Sequence, residues 1–128
     1  MRIEELSVGD FLFFTDGDCA VCVQEIYNDA QLLVSDGDSI SEPVHITHLI
    51  PIPLTPEILE KNGFVKNGEY NEWNIGTWET PYLLGVSLER PAITIKWNGS
   101  SIFIDQAKYV HQLQHAFRLA DIEKQIEV

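Results

Sequence analysis

The chain has 128 residues, 45% of them hydrophobic and 10% aromatic, a composition that excludes disorder and fits one domain or two small lobes. Twenty acids against eight bases give a net charge of −12, the wrong sign for a phosphate backbone, so nucleic acid is not expected as a partner. No apolar run reaches the roughly 20 residues of a membrane span, and Met1-Arg2-Ile3-Glu4-Glu5 lacks the layout of a signal peptide, so a cytoplasmic protein with no membrane partner is expected.

The first fifty residues read as short strands between turns. Strand-like Asp10–Thr15 meets the turn Asp16-Gly17-Asp18, and Cys19–Tyr27 follows. Asn28-Asp29 leads to Gln31–Ser35, and Asp36-Gly37-Asp38 leads to Ile40–Ile46. Strands recurring about every ten residues with Asp-Gly turns mark a small antiparallel barrel or sandwich. Short strands need closure, which favours an SH3-like β-barrel for residues 1–50.

Pro51-Ile52-Pro53 reads as a hinge, since proline has no N–H for a central strand. Thr55 and Pro56 then open a helix of about two turns, by side-chain capping and by proline at the first helical position. Gly63 ends it. The Asn67-Gly68 turn separates Gly63–Lys66 from Glu69–Ile75 as a hairpin. Tyr82–Leu88, Ala92–Trp97 and, after Asn98-Gly99, Ser101–Asp105 continue an antiparallel sheet, with Tyr70, Trp73, Trp78, Tyr82 and Trp97 available to cover one face.

A long helix is predicted over Gln106–Ala120. At 100° per residue, Tyr109, Val110, Leu113, Ala116, Phe117 and Ala120 share an arc of about 120°, whereas Lys108, His111, His115 and Arg118 lie opposite, as a solvated face. Leu119 falls outside the apolar arc, so either the tail or a partner chain should cover it. The tail Ile122–Val128 alternates loosely and reads as an added edge strand. Residues 51–128 therefore form an α+β lobe, expected to share one core with the first because each alone is small.

Charge is uneven. Residues 1–50 hold ten acids and one base, Arg2, while residues 51–128 hold ten acids and seven bases. An acidic soluble surface is the plain reading, and an acidic face for a basic protein partner, or an imitation of nucleic acid, is the sharper one.

Several constellations approach known chemistry and fall short. His111 and His115 have the spacing of a zinc-protease helix, but Gln112 stands where a general-base carboxylate is required. Cys19, Cys22, His45 and His48 can be written as a zinc set, yet residues three apart on a strand point to opposite faces. The cysteines are expected as thiols in a reducing compartment. The two Asp-Gly-Asp turns lack the ligand series of a calcium loop and suit turn chemistry, a weak and non-selective divalent cation contact being the alternative if both meet at one end of the barrel. Ser35, Ser39 and Ser41 have no nucleophile-elbow context, and no phosphate loop or dinucleotide fingerprint occurs. Catalytic, metal and cofactor sites are therefore not assigned, and a non-enzymatic protein-binding or assembly module is the expected function, with an acidic inhibitor that imitates nucleic acid and an enzyme of unrecognised type as the alternatives. Trp73, Trp78 and Trp97 are expected in the core, although tryptophan also serves interfaces.

Three segments carry a family likeness: Leu6-Ser7-Val8-Gly9-Asp10-Phe11, the run from Pro51 to Phe64 (PIPLTPEILEKNGF), and Tyr109-Val110-His111-Gln112-Leu113-Gln114-His115. Together they resemble a family of short uncharacterised proteins from Bacteroides-type gut bacteria and their phages or mobile elements. The resemblance implies a bacterial, cytoplasmic, phage-derived origin and brings no catalytic or binding residues with it. Relatives carrying Asn at the position of His115 imply a surface role for that residue.

Overall fold

The computed structural model describes residues 1–17, 19–68, 72–76, 82–97 (Trp97 by its backbone) and 99–128. The chain divides into two compact units, Met1–Ile52 and Pro53–Val128. Among the described residues they contain two five-stranded antiparallel sheets and two α-helices, an α+β fold.

The first unit contains β1 (Phe11–Phe14), β2 (Ala20–Ile26), β3 (Gln31–Ser35), β4 (Val44–His45) and β5 (Leu49–Pro51), in the order β4-β3-β2-β1-β5. Side chains alternate along a strand, so Leu12, Val21, Val23, Leu32, Val34 and Leu49 meet in one core. Each such burial stabilises by about 1.5–3 kcal/mol. The buried Asp10 is absorbed by local structure, its Oδ2 accepting the Ser7 N–H at 2.8 Å. A register shift between Val23 and Glu25 ends the core-facing part of β2, and beyond it Glu25, Ile26 and Tyr27 are exposed.

Two expectations for this unit need correction. The strand expected over Ile40–Ile46 shrinks to Val44–His45, with Ile40 making only an isolated bridge to Ser35. Pro43 interrupts it for want of an N–H. Upstream, Ser41 takes both backbone groups of Val34: its N–H donates to Val34 O at 2.8 Å, and its Oγ accepts the Val34 N–H at 3.1 Å. Pro51, expected in a hinge, instead closes β5 opposite Leu12. It sits on an edge strand, where a missing N–H leaves no ladder bond unmade.

The second unit opens with α1 (Pro56–Lys61), whose cap is the Thr55 hydroxyl accepting the Ile58 N–H at 3.2 Å. Gly63, at φ +88°, ends it in a backbone conformation that favours glycine. Strands β6 (Val65–Asn67), β7 (Glu72–Gly76), β8 (Tyr82–Ser87), β9 (Ala92–Trp97) and β10 (Ser100–Asp105) follow as a meander in the order β10-β9-β8-β7-β6. Trp73, Leu84, Val86, Ile93 and Ile95 are buried by alternation, and α2 (Val110–Leu119) contacts β9. On α2, Phe117 stacks on Phe64, with ring centroids 6.2 Å apart.

The long helix starts four residues later than its periodicity predicts. Gln106 adopts φ +56°, and the segment after it is held extended: Ala107 N–H donates to Pro91 O at 3.1 Å and Leu54 N–H to Lys108 O at 2.8 Å. Gln112 then sets the start, its Oε1 accepting the N–H groups of Lys108 (2.7 Å) and Tyr109 (3.0 Å). The far end stops because Asp121 turns left-handed at φ +58° and the Ile122 N–H reaches back to Phe117 O at 2.8 Å.

The tail forms no strand. Ile126 is buried, and the chain end is fastened to α1 by Asn62, itself 2% exposed. The Asn62 Nδ2 donates to Ile58 O and to Glu127 O, each at 2.7 Å, and its Oδ1 accepts the Glu127 N–H at 2.7 Å. An amide with both ends engaged fixes the tail in register, which an alternating pattern alone cannot predict. Among the described residues, no helix is long and apolar enough to cross a membrane.

Candidate functional site

The histidine helix is the first place where side-chain surroundings overturn the helical wheel. His111 is 3% exposed and Gln114 is also buried, whereas Lys108 and Arg118 stay exposed, so the face expected to be solvated is covered only in part. The rings form a short series: Tyr109 stacks on His111 (centroids 5.9 Å apart), and His115 meets His111 edge-on at 5.7 Å. His115 is half-buried, while Arg118 and Leu119 are exposed. Packing around the first turns of α2 exceeds the apolar stripe, whereas in its last turn Arg118 and Leu119 face solvent beside the buried Ala116 and Phe117. Gln112, which denies the helix a general base, serves as its cap.

Cys19 is exposed and Cys22 half-buried on β2, both as thiols rather than a disulfide. His45 belongs to β4, where its Nδ1 accepts the Thr47 N–H at 3.2 Å and caps the short 3-10 turn of Ile46–His48. Among the described residues, no three His, Cys, Asp or Glu side chains gather as metal ligands.

The turn at Asp36-Gly37-Asp38 uses its carboxylate internally. Asp36 Oδ1 accepts the N–H groups of Asp38 (3.0 Å) and Ser39 (3.1 Å), and these bonds hold its carboxyl below the usual aspartate range. The Ser35 Oγ accepts the Gly37 N–H at 3.1 Å. In the companion turn, Asp18 lies outside the described residues, as do Tyr70 and Trp78 and the side chain of Trp97. Trp73 is buried as expected.

A depression of about 600 Å³ lies beside β6 and β7, lined by Gly63, Val65, Asn67, Asn74, Ile75 and Gly76 among others. Among the described residues, Lys66 is the one charged side chain in its lining. On the same sheet, a Cβ at Gly85 would collide with the Glu72 side chain, which lies across β8 with Asn74 beside it. Only the cross-strand register brings these residues together, so composition and motif reading pass over them.

The first unit carries the most distinctive surface. Glu25, Asp29, Asp36, Asp38 and Glu42 are all exposed, as are Glu4, Glu5 and Asp16. Its one base, Arg2, approaches Glu4 at 3.7 Å, a fully surface pairing that contributes little. Tyr27 is 56% exposed, at the end of β2 beside the β2–β3 turn, with Glu25 and Asp29 two residues to either side. Ile26 and Ile40 are exposed as well. The strand was legible in the sequence; the register shift that turns Tyr27 outward was not.

No family model, curated protein or solved structure matches the chain.

Proposed function

We propose that the chain is a non-enzymatic binding module whose first unit engages a protein partner through a basic surface. The observation that carries the reading is Tyr27, 56% exposed between Glu25 and Asp29, in a unit of net charge −9. An aromatic ring offers contact area at small entropic cost, and the surrounding carboxylates steer a cationic partner toward it. Two sites where an enzyme could concentrate chemistry support the same reading: Gln112 is a cap, and the Asp36 carboxylate serves its own turn.

An SH3-like barrel is the corresponding proposal for the architecture of this unit. The strand order β4-β3-β2-β1-β5 supports it, as do the 3-10 turn between β4 and β5 and the return of β5 to β1. A cytoplasmic, phage or mobile-element origin in a gut bacterium is the matching proposal for source, supported by the likeness of the Pro51–Phe64 and Tyr109–His115 segments.

Calorimetric titration with a Lys- and Arg-rich peptide tests the function. Binding should weaken with added salt and fall about tenfold in Tyr27→Ala, which removes no charge. Binding that is unchanged in Tyr27→Ala would reduce the interaction to net charge and sink the reading. Displacement of duplex DNA from a DNA-binding protein by the chain would instead favour imitation of nucleic acid.

A further inference from the structure

The edges of the two sheets are protected to different degrees. β4 has two residues, β5 ends in Pro51, and β6 is three residues long with Lys66 at its centre. Short length, proline and lysine are the usual defences against strand addition. β10 has none of them. Its six residues contain no Pro, Gly or Lys, and its ladder with β9 runs unbroken from Ser100 opposite Trp97 to Asp105 opposite Ala92. Among the described residues it ends its sheet, and Phe103 on it is 66% exposed.

We propose that two copies of the chain pair through β10, antiparallel, about a two-fold axis normal to the sheet at Phe103. A two-fold between antiparallel strands preserves the faces of the sheet, so residues meeting across the seam belong to the same face. Centred on Phe103, the seam sets Phe103 against Phe103, Ile102 against Ile104, and Ser101 against Asp105. Aromatic meets aromatic and aliphatic meets aliphatic. Within each sheet Lys96 lies opposite Ser101, so one row reads Lys96, Ser101, then Asp105 of the second copy. Lys96 is exposed, and its long side chain spans the intervening serine to the carboxylate. The two-fold makes this pairing twice, offsetting the repulsion between two acidic chains where they touch.

The neighbouring registers lose this match. Centring on Ile104 sets Phe103 against Asp105, and centring on Ile102 sets it against Ser101 and leaves Lys96 in a row with phenylalanine. The assembly also closes at two, because the opposite edge of each sheet, β6, is short and carries Lys66. The seam from Ser101 to Asp105 is small for a stable interface, so pairing is expected at high micromolar concentration rather than nanomolar. It lies in the second unit and stands apart from the peptide binding assigned to Tyr27.

Sedimentation equilibrium of the full chain, from low micromolar to millimolar, tests the proposal. The mass should rise to that of two chains, and Phe103→Lys should return it to one while circular dichroism stays unchanged. Lys96→Glu and Asp105→Lys should each weaken pairing, and their combination should restore it, because the row then reads with its charges exchanged. A chain monomeric up to millimolar concentration overturns the proposal, as does a dimer that survives Phe103→Lys. If Phe103→Lys disturbs the fold, the charge exchange decides, and failure of the double variant to regain pairing counts against the seam.

Discussion

The two units solve the same problem, a five-stranded antiparallel sheet, with opposite treatment of polar groups. In Met1–Ile52 nearly all charge is pushed to turns and strand ends, and Asp10 is the buried charged residue described there. In Pro53–Val128 charge is closer to balance, but Asn62, His111 and Gln114 are drawn inside. The first unit folds around aliphatic side chains supplied by alternating strands, with β1–β5 as its long-range pairing. The second adds a helix and a tail to its meander, and those additions need specific hydrogen bonds to hold their register. Buried polar groups accordingly mark where packing alone does not define position.

The largest expected effect tests the apolar side of this contrast. Phe117 is 2% exposed and stacks on Phe64, so Phe117→Ala should cost about 3–5 kcal/mol in equilibrium denaturation. A loss below about 1 kcal/mol would mean that the helix is not seated on its sheet as described.

The tail provides the sharper test. Asn62→Ala removes the amide that holds Glu127, and should cost about 2–3 kcal/mol by leaving buried backbone groups unmatched. Truncation after Ala120 should also destabilise, since it removes the buried Ile126. In the truncated chain, Asn62→Ala should lose much of its effect, because the two changes delete the same contact. Full additivity would show that the tail does not depend on Asn62. Leu119 remains 58% exposed with the tail in place, so tail coverage does not explain its apolar character.

The histidines give a smaller, differential effect. The ring arrangement predicts that His111→Ala costs about 2 kcal/mol and His115→Ala less than about 1 kcal/mol, whereas the helical wheel alone would make both nearly neutral. Equal small effects would restore the wheel's version of this face.

The smallest effect lies in the first unit. Hydrogen bonds from Asp38 and Ser39 lower the Asp36 pKa in the folded state, so the stability they contribute is present above the unfolded pKa. It is lost as pH falls through the folded pKa. A carboxyl-carbon NMR titration should find Asp36 protonating at lower pH than an aspartate in an unfolded peptide, and coincident titrations would refute the turn bonds.

Local pattern was enough for the α+β class, the alternation of Val21, Val23, Leu32 and Val34, the Thr55–Pro56 helix start and the burial of Trp73, because each depends on neighbours a few residues away. That Gln112 stands where a zinc-protease helix would carry a carboxylate is equally local. What Gln112 does instead required the extended segment at Ala107–Tyr109, which is held by Pro91 and Leu54. The burial of His111, the Asn62 clamp on Glu127 and the outward turn of Tyr27 also lay beyond periodicity. A helical wheel or strand alternation gives a side chain's direction, while burial depends on what stands opposite, and that partner is set by chain segments distant in sequence. Residues 58, 62 and 127 meet only once the sheet has turned the chain back on itself, and there a single amide does what an edge strand was expected to do.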